Sequence, residues 1–224
     1  MKKIIKTVLI MLSTTTLFAN EQGAMNMGLK VGTLGYGLDV SLPISDSFSA
    51  RFNLNGFSYT DTVNSDDNDF KGTLDLLTIG MLVDYYPFTS NFRLTSGLYY
   101  NASGFTGTIS PTGGTSISIG DQSYDINQID SLDSKITVNS FAPYIGLGWG
   151  NDAHDAGWGF TFDLGAMYIG APQMDLNANI KSTASAALVT EINQELVKEQ
   201  QKVQDDFNAF KFYPVVMLGV NYTF

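Results

Sequence analysis

The sequence predicts an all-β fold: an eight-stranded antiparallel transmembrane β-barrel with long extracellular loops, one of them containing an amphipathic helix. Three observations carry this. Apolar residues recur with a period of two along most of the chain, which places them on one face of each strand. The opposite positions hold glycine and a few charges of both signs, unlike the lysine- and glutamate-rich face of a solvated sheet. Many of the aromatic residues, such as Tyr59, Tyr85, Tyr86, Tyr99, Tyr100, Trp149, Trp158 and Tyr168, fall near strand ends, where a membrane barrel carries its interfacial girdles. The composition agrees. Of 224 residues 12% are aromatic and only 15% charged, against about 25% charged in soluble domains. A mean hydropathy of +0.02 is then the sum of one greasy and one polar face.

The first 19 residues stand apart. Lys2, Lys3 and Lys6 form a positive start, Ile4 to Phe18 an apolar core, and Leu17-Phe18-Ala19 ends in a small residue. This is the pattern of a secretory signal peptide cut after Ala19, leaving residues 20–224 as one barrel domain. Without those three lysines the chain has 9 basic and 22 acidic residues, a net charge of −13. No later run reaches the roughly 18 apolar residues of a helical span.

Seven spans follow from the alternation, at about 35–42, 47–59, 70–86, 92–104, 135–149, 158–170 and 212–224. An even strand count calls for one more. Gly23–Leu42 supplies it as a hairpin that reverses near Gly32-Thr33-Leu34-Gly35. Pro43–Asp46, Pro87–Asn91 and Gly150–Gly157 are short connections, whereas Thr60–Asp69, Phe105–Ser134 and Ala171–Lys211 are long. Short turns belong on the periplasmic side of such barrels and long loops outside. The chain ends Val216, Leu218, Val220, Tyr222, Phe224, an ending that resembles the C-terminal signal read by the outer-membrane barrel-assembly machinery. Outer-membrane lipid and lipopolysaccharide are the other expected partners.

Five charges fall on polar faces within a few residues of the short turns: Asp39, Arg51, Asp84, Arg93 and Asp163. They are expected to form one lumen layer near the periplasmic mouth, three carboxylates against two guanidiniums. An eight-stranded barrel is about wide enough for side chains to fill. The layer therefore reads either as a salt-bridge plug or as a gated constriction whose surplus carboxylate favours cations. The loops are acidic, with Asp61, Asp66, Asp67 and Asp69 in the first long one and Asp121, Asp125, Asp130 and Asp133 in the second. They are solvated loops, bridged to lipopolysaccharide through divalent cations, or a collecting funnel for cationic solutes. Leu188, Ile192, Leu196, Val203 and Phe207 keep mostly a four-residue spacing and predict an amphipathic helix over residues 185–207. The barrel mouth is the nearest apolar surface for its stripe, as a lid; the alternative is a partner-binding or partly disordered helix.

Several function classes are excluded. With no cysteine there are no disulfides, thiolate metal sites or cysteine nucleophiles. An acidic chain of pI near 4.3 lacks the basic footprint nucleic acid requires. Asn64-Ser65-Asp66-Asp67-Asn68 has neither the glycine nor the distal glutamate of an EF-hand calcium loop. The one histidine, His154, lies in the periplasmic turn Asn151-Asp152-Ala153-His154-Asp155, at the wrong end for a rim hydrolase or acyltransferase. No enzyme, metal or cofactor is expected.

Four segments carry a resemblance. Gly32-Thr33-Leu34-Gly35-Tyr36-Gly37, Ala142-Pro143-Tyr144-Ile145-Gly146-Leu147-Gly148, Gly165-Ala166-Met167-Tyr168-Ile169-Gly170-Ala171-Pro172 and Tyr213-Pro214-Val215-Val216-Met217-Leu218-Gly219-Val220-Asn221 resemble the CarO-type ornithine-uptake outer-membrane proteins. The likeness is spread over most of the mature chain and includes the helical stretch before the last strand. It implies an eight-stranded barrel linked to uptake of basic amino acids and to carbapenem susceptibility. The loops do not match well enough to carry ligand residues across. The expectation is a narrow porin-like barrel for passive or gated uptake of small, amino-acid-like cations. The alternatives are a closed structural or surface-interaction barrel without transport, and a carrier of an apolar ligand under the helix. Protein recovered from outer-membrane fractions should begin at Asn20 on N-terminal sequencing; a start at Met1 would contradict the cleaved signal.

Overall fold

The computed structural model describes residues 25–65, 68–88, 91–113, 116–120, 122–150 and 156–224. The signal segment, Asp66, Asp67, Asp121 and the His154 turn lie outside the described residues. Thirteen strands are described: β1 Asn26–Gly32, β2 Gly35–Ser45, β3 Phe48–Asn64, β4 Asn68–Tyr85, β5 Phe92–Asn101, β6 Gly104–Pro111, β7 Ser116–Ile119, β8 Gln122–Asp125, β9 Ile129–Thr137, β10 Phe141–Trp149, β11 Gly157–Tyr168, β12 Gln173–Ile180 and β13 Phe212–Thr223. One helix, α1, runs Ala186–Phe207. No described helix is long and apolar enough to cross a membrane.

Eight strands close a ring in the order β1-β2-β3-β4-β5-β10-β11-β13, every pair antiparallel, with β13 returning to β1. The expected first hairpin is β1–β2. It reverses after Gly32, which pairs with Gly35, and Gly35 takes a φ of 90° that only a residue without Cβ adopts freely. Closing the ring leaves no free edge in the wall, as lipid requires.

The outer face of the ring is apolar and bare: Met81 is 63% exposed, Ile145 70% and Phe160 82%. Aromatic pairs mark both ends of this band. Phe48 stacks on Tyr85 at 4.9 Å and Trp158 meets Tyr222 at 5.3 Å by the short turns. Tyr100 meets Phe141 at 5.9 Å and Tyr168 meets Phe212 at 5.3 Å at the other end. Three of the predicted girdle residues sit elsewhere. Tyr86 and Tyr99 are buried, Tyr99 because its position in β5 points inward. Tyr59 stands on β3 beyond the band.

The predicted loop Thr60–Asp69 is instead a continuation of the wall. β3 and β4 are 17 and 18 residues long, well over the 9–11 a tilted strand needs to cross lipid, and they stay paired out to Asn64 and Asp69. Their alternation changes phase partway. On the outward side of β4, Tyr85, Val83, Met81, Ile79 and Leu77 give way to Asp75, Thr73, Lys71 and Asp69; on β3, Phe52 and Leu54 give way to Ser58, Thr60 and Thr62. The inward side changes in the opposite sense, from Asn53 and Asn55 to Phe57 and Tyr59. The outer face turns polar where water replaces lipid, so the boundary of the apolar band lies near Leu77 and Gly56.

Beyond that boundary the upper half of β4 pairs with β6 rather than β5, and β6, β9 and β12 extend the sheet. The predicted loop Phe105–Ser134 is thus largely strand. The helix starts on an N-cap, Ser185 Oγ accepting from the Leu188 N–H at 3.2 Å. Ile192 and Leu196 are buried with Ile117, Ile119, Tyr124 and Ile129, and Leu188 packs beside them. Leu176, Ala178 and Ile180 of β12 face the same cluster. The helix stripe is therefore received by the sheet above the ring and the β7–β8 hairpin, not by the ring's own rim as the sequence suggests. Val203 and Phe207 are only half-buried and stand outside this cluster.

The phase change makes a direct prediction. Met81→Arg, within the apolar band, should destabilise the refolded protein in lipid vesicles by about 2–4 kcal/mol. Thr73→Arg, on the same side of the same strand, should cost no more than about 1 kcal/mol. Guanidinium unfolding of the two variants measures the difference, and equal losses would move the boundary.

Candidate functional site: a charge layer inside the ring

Side chains that point inward cannot reach lipid or bulk water, so the lumen must satisfy them internally. The ring brings all five predicted charges together and adds a sixth, Lys30. Their side chains are 0–6% exposed. Lys30 Nζ pairs with Asp39 and lies 2.6 Å from Asp163. Arg51 touches three carboxylates. Its Nη1 lies 3.4 Å from Asp39 and 3.2 Å from Asp163, and its Nη2 donates to Asp84 Oδ1 at 2.9 Å. Arg51 Nε lies 2.9 Å from Asp84 Oδ2, although at an angle too bent for a hydrogen bond. Arg93 Nη2 donates to Asp163 Oδ1 at 2.5 Å and to Thr161 Oγ1 at 3.1 Å, and Arg93 also donates to the Gly150 carbonyl.

Neutral groups complete the network. Thr95 Oγ1 donates to Asp84 at 2.5 Å and accepts from Arg51 at 3.3 Å. Asn53 donates to Asp39, Asn55 to Asn53, and Asn55 also to Thr78 Oγ1 at 2.8 Å. Toward the short turns Asn26 Nδ2 donates to Thr223 Oγ1 at 2.7 Å. Buried acceptor oxygens of Asn26, Asn55 and Asn221 have no protein donor. The layer is thus more polar than its own side chains saturate.

Charge counting changes with Lys30. The sequence reading of three carboxylates against two guanidiniums becomes three against three, so the layer is neutral and carries no carboxylate surplus. The signal for Lys30 is present in β1, where Asn26, Gly28, Lys30 and Gly32 alternate with Met27, Leu29 and Val31. Glycine makes room for these long side chains. Lys30 is paired with Gly37 on one side and Gly219 on the other. A Cβ on Gly148 would lie 2.7 Å from the Arg93 guanidinium carbon.

Next to the layer the lumen turns apolar. Leu82, Tyr99, Ala142, Tyr144, Met167, Val215 and Met217 form one buried cluster with Leu34 and Ile169. Tyr99 and Tyr144 meet edge to face at 5.5 Å. This cluster and the charge layer are both buried from solvent in the conformation described.

Outside the charge layer, the described acidic residues do not converge on a site. Asp61 is exposed on β3, and Asp69 ends the β3–β4 pairing. Asp125 caps the short 3-10 turn Ile126–Gln128 by accepting from the Asn127 N–H. Asp130 is exposed, while Asp133 accepts from Thr108 and Asn179 at 2.8 and 2.7 Å. Among the described residues no group of three His, Asp or Glu side chains forms a metal site.

Solved structures resemble this chain, among them two from one organism. CarO2 of Acinetobacter baumannii is 19% identical, with a TM-score of 0.56 over 92% of this chain and 100% of that one. CarO of the same organism is 19% identical, with a TM-score of 0.55 over 90% and 98%. No protein-family profile and no curated protein matches the chain. At this identity the likeness is one of fold, a β-barrel, and it spans nearly the full length of both proteins.

Removing one member of a buried ion network leaves a partner charge uncompensated, which costs about 3–5 kcal/mol. Arg51→Met and Lys30→Met should each lose stability on that scale in guanidinium unfolding. Adding Asp39→Asn to Lys30→Met should recover part of the loss. Single losses below about 1 kcal/mol, the range of exposed pairs, would show the layer to be hydrated.

Proposed function

We propose that this chain is an outer-membrane barrel of the CarO type that takes up small solutes through a gated lumen, closed in the conformation described. The observation that carries the reading is the layer of six ionised side chains at membrane depth. Replacing a buried ion network by apolar packing is often neutral or stabilising, so stability alone does not call for it. Ionisable groups at this depth ordinarily mark a solute or ion path. A small polar solute that displaces the carboxylate–cation contacts finds donors and acceptors of both signs, so the layer suits zwitterions as well as cations. Preference for cations then rests on the acidic outer surface, where Asp61, Asp69, Asp125 and Asp130 join Glu191, Glu195 and Glu199 of α1. Opening requires movement of the apolar cluster around Tyr99 and Tyr144 as well as of the charges. The helix and the sheet above the ring are the covering elements, and the chain acts as a conduit rather than an enzyme.

One observation favours the second reading, a closed structural barrel. The layer is charge-balanced and capped by a packed apolar cluster. Conductance of refolded protein in planar bilayers separates the two. The uptake reading expects steps above the lipid baseline that become longer or more frequent in Tyr144→Ala, which thins the apolar cluster without touching the charges. A silent bilayer for wild type, Tyr144→Ala and Arg93→Ala alike would sink it.

A further inference from the structure

The wall above the apolar band is uneven. β1 and β2 turn back at Gly32–Gly35, and β2 leaves β3 at Gly56, whereas β3 and β4 continue paired to Asn64 and Asp69. Residues 57–64 of β3 are therefore a free edge of the raised part, and its inner face is open on that side. α1 and the β7–β8 hairpin cover the far part of this face, as far as Ile109 of β6. Nearer the edge Phe57, Tyr59, Val63, Phe70 and Leu74 remain exposed.

The register gives this face its pattern. Tyr59 is opposite Leu74, Asp61 opposite Gly72 and Val63 opposite Phe70. Across β4, Leu74 is opposite Phe105, Gly72 opposite Gly107 and Phe70 opposite Ile109. Asp61 thus heads a row whose next two positions are glycines. The Phe70 and Phe105 rings lean into that row from either side: a Cβ on Gly72 would stand 3.1 Å from Phe70 Cε1 and 3.3 Å from Phe105 Cζ. Directly opposed strand residues have Cβ positions about 4.5–5.5 Å apart, so the Asp61 side chain and both rings converge on Gly72. Asp61 Oδ1 accepts from the Thr62 N–H at 2.9 Å, and no lysine or arginine pairs with this carboxylate among the described residues.

A carboxylate without a cation, set in an aromatic surface, is complementary to a cation that has apolar surface of its own. Ring faces attract ammonium groups through their quadrupole, and methylated ammonium groups are the kind that aromatic sites hold. A primary ammonium gains the ion pair but little from the rings. A neutral alkyl group gains the rings but not the carboxylate. The face turns toward the barrel mouth and away from lipid, so the source of the ligand is the medium rather than a membrane headgroup.

We infer that the inner face of the raised wall binds methylated ammonium solutes, the quaternary nitrogen resting over Gly72 between Asp61 and the Phe70 and Phe105 rings. The inference deepens the uptake reading, since it rests on solutes reaching the mouth from outside and names their class. Binding is read without transport, so a silent bilayer leaves it intact.

Saturation-transfer NMR on the full chain refolded in maltoside detergent tests it, with irradiation of the aromatic protons and readout on the solute protons. The probes are choline, its neutral isostere in which carbon replaces the nitrogen, and ethanolamine. Choline should bind about tenfold more tightly than the isostere, the ratio that about 1.4 kcal/mol of cation–π and ion-pair attraction provides. It should bind about fivefold more tightly than ethanolamine, which keeps the charge without the methyls. Asp61→Asn should lower choline affinity about fivefold, and Phe70→Leu should erase most of the margin over ethanolamine. Asp130→Asn, exposed elsewhere on the raised sheet, should leave choline affinity unchanged. All three variants should keep heat-modifiable migration on gels, since all three side chains are exposed. Absent binding of choline, equal binding of choline and its isostere, or an affinity unchanged in both Asp61→Asn and Phe70→Leu would overturn the proposal. Ethanolamine binding as tightly as choline would overturn the part given to the rings. A loss in Asp130→Asn equal to that in Asp61→Asn would overturn the site in favour of a diffuse acidic surface.

Discussion

Arg51 is held by Asp39, Asp84 and Asp163 together, and the interior of the ring is arranged around that contact. A barrel wall in lipid turns its apolar side chains outward, so whatever polarity the strands carry collects inside. Six charges in so small a volume are tolerable only because each carboxylate meets at least two cations and each cation at least two carboxylates. The arrangement draws one or more residues from β1, β2, β3, β4, β5 and β11, and so it reports whether the ring has closed in register. A one-residue slip in any of these strands would turn its charge toward lipid.

The same logic sets the height of the barrel. β3 and β4 are continuous strands, but the faces they bury exchange where lipid ends. Below that line the outside is apolar and the inside polar. Above it the outside is hydroxyl-rich, and the inner side offers Ile109, Leu132 and Leu176 to α1. The chain itself therefore covers the first half of the helix stripe, Leu188, Ile192 and Leu196. The sheet above the ring becomes a small second core joined to the barrel through shared strands.

Much of this was legible in the residues. Period-two alternation located the ring strands to within a few residues, except that the span expected at 135–149 divides into the end of β9 and the whole of β10. The five lumen charges stood out because a charge on the polar side of such a strand has nowhere else to go. Lys30 escaped notice because β1 is only seven residues long and glycine-rich, so its alternation is thin. The outer regions were the least legible. In β3 and β4 the period persists while its phase flips, and a flipped phase looks like a break when only one face is followed. The partner of α1 was hidden for another reason: a helix stripe states that it must be buried, and only the tertiary fold says against what.

The central claim is that the charge layer is sealed at rest and is reached only when the apolar cluster moves. The chain has no cysteine, so a single introduced thiol reports access cleanly. Thr95→Cys places one in the layer, and Tyr59→Cys places a control on the exposed inner side of β3. With the protein in sealed vesicles, a membrane-impermeant cationic thiosulfonate added from the loop side should modify the control readily and the layer thiol at least about a hundredfold more slowly, the rate expected if the accessible state lies about 2.7 kcal/mol above the closed one. Equal rates at the two positions would contradict the account, because they would mean that the lumen is already open to water.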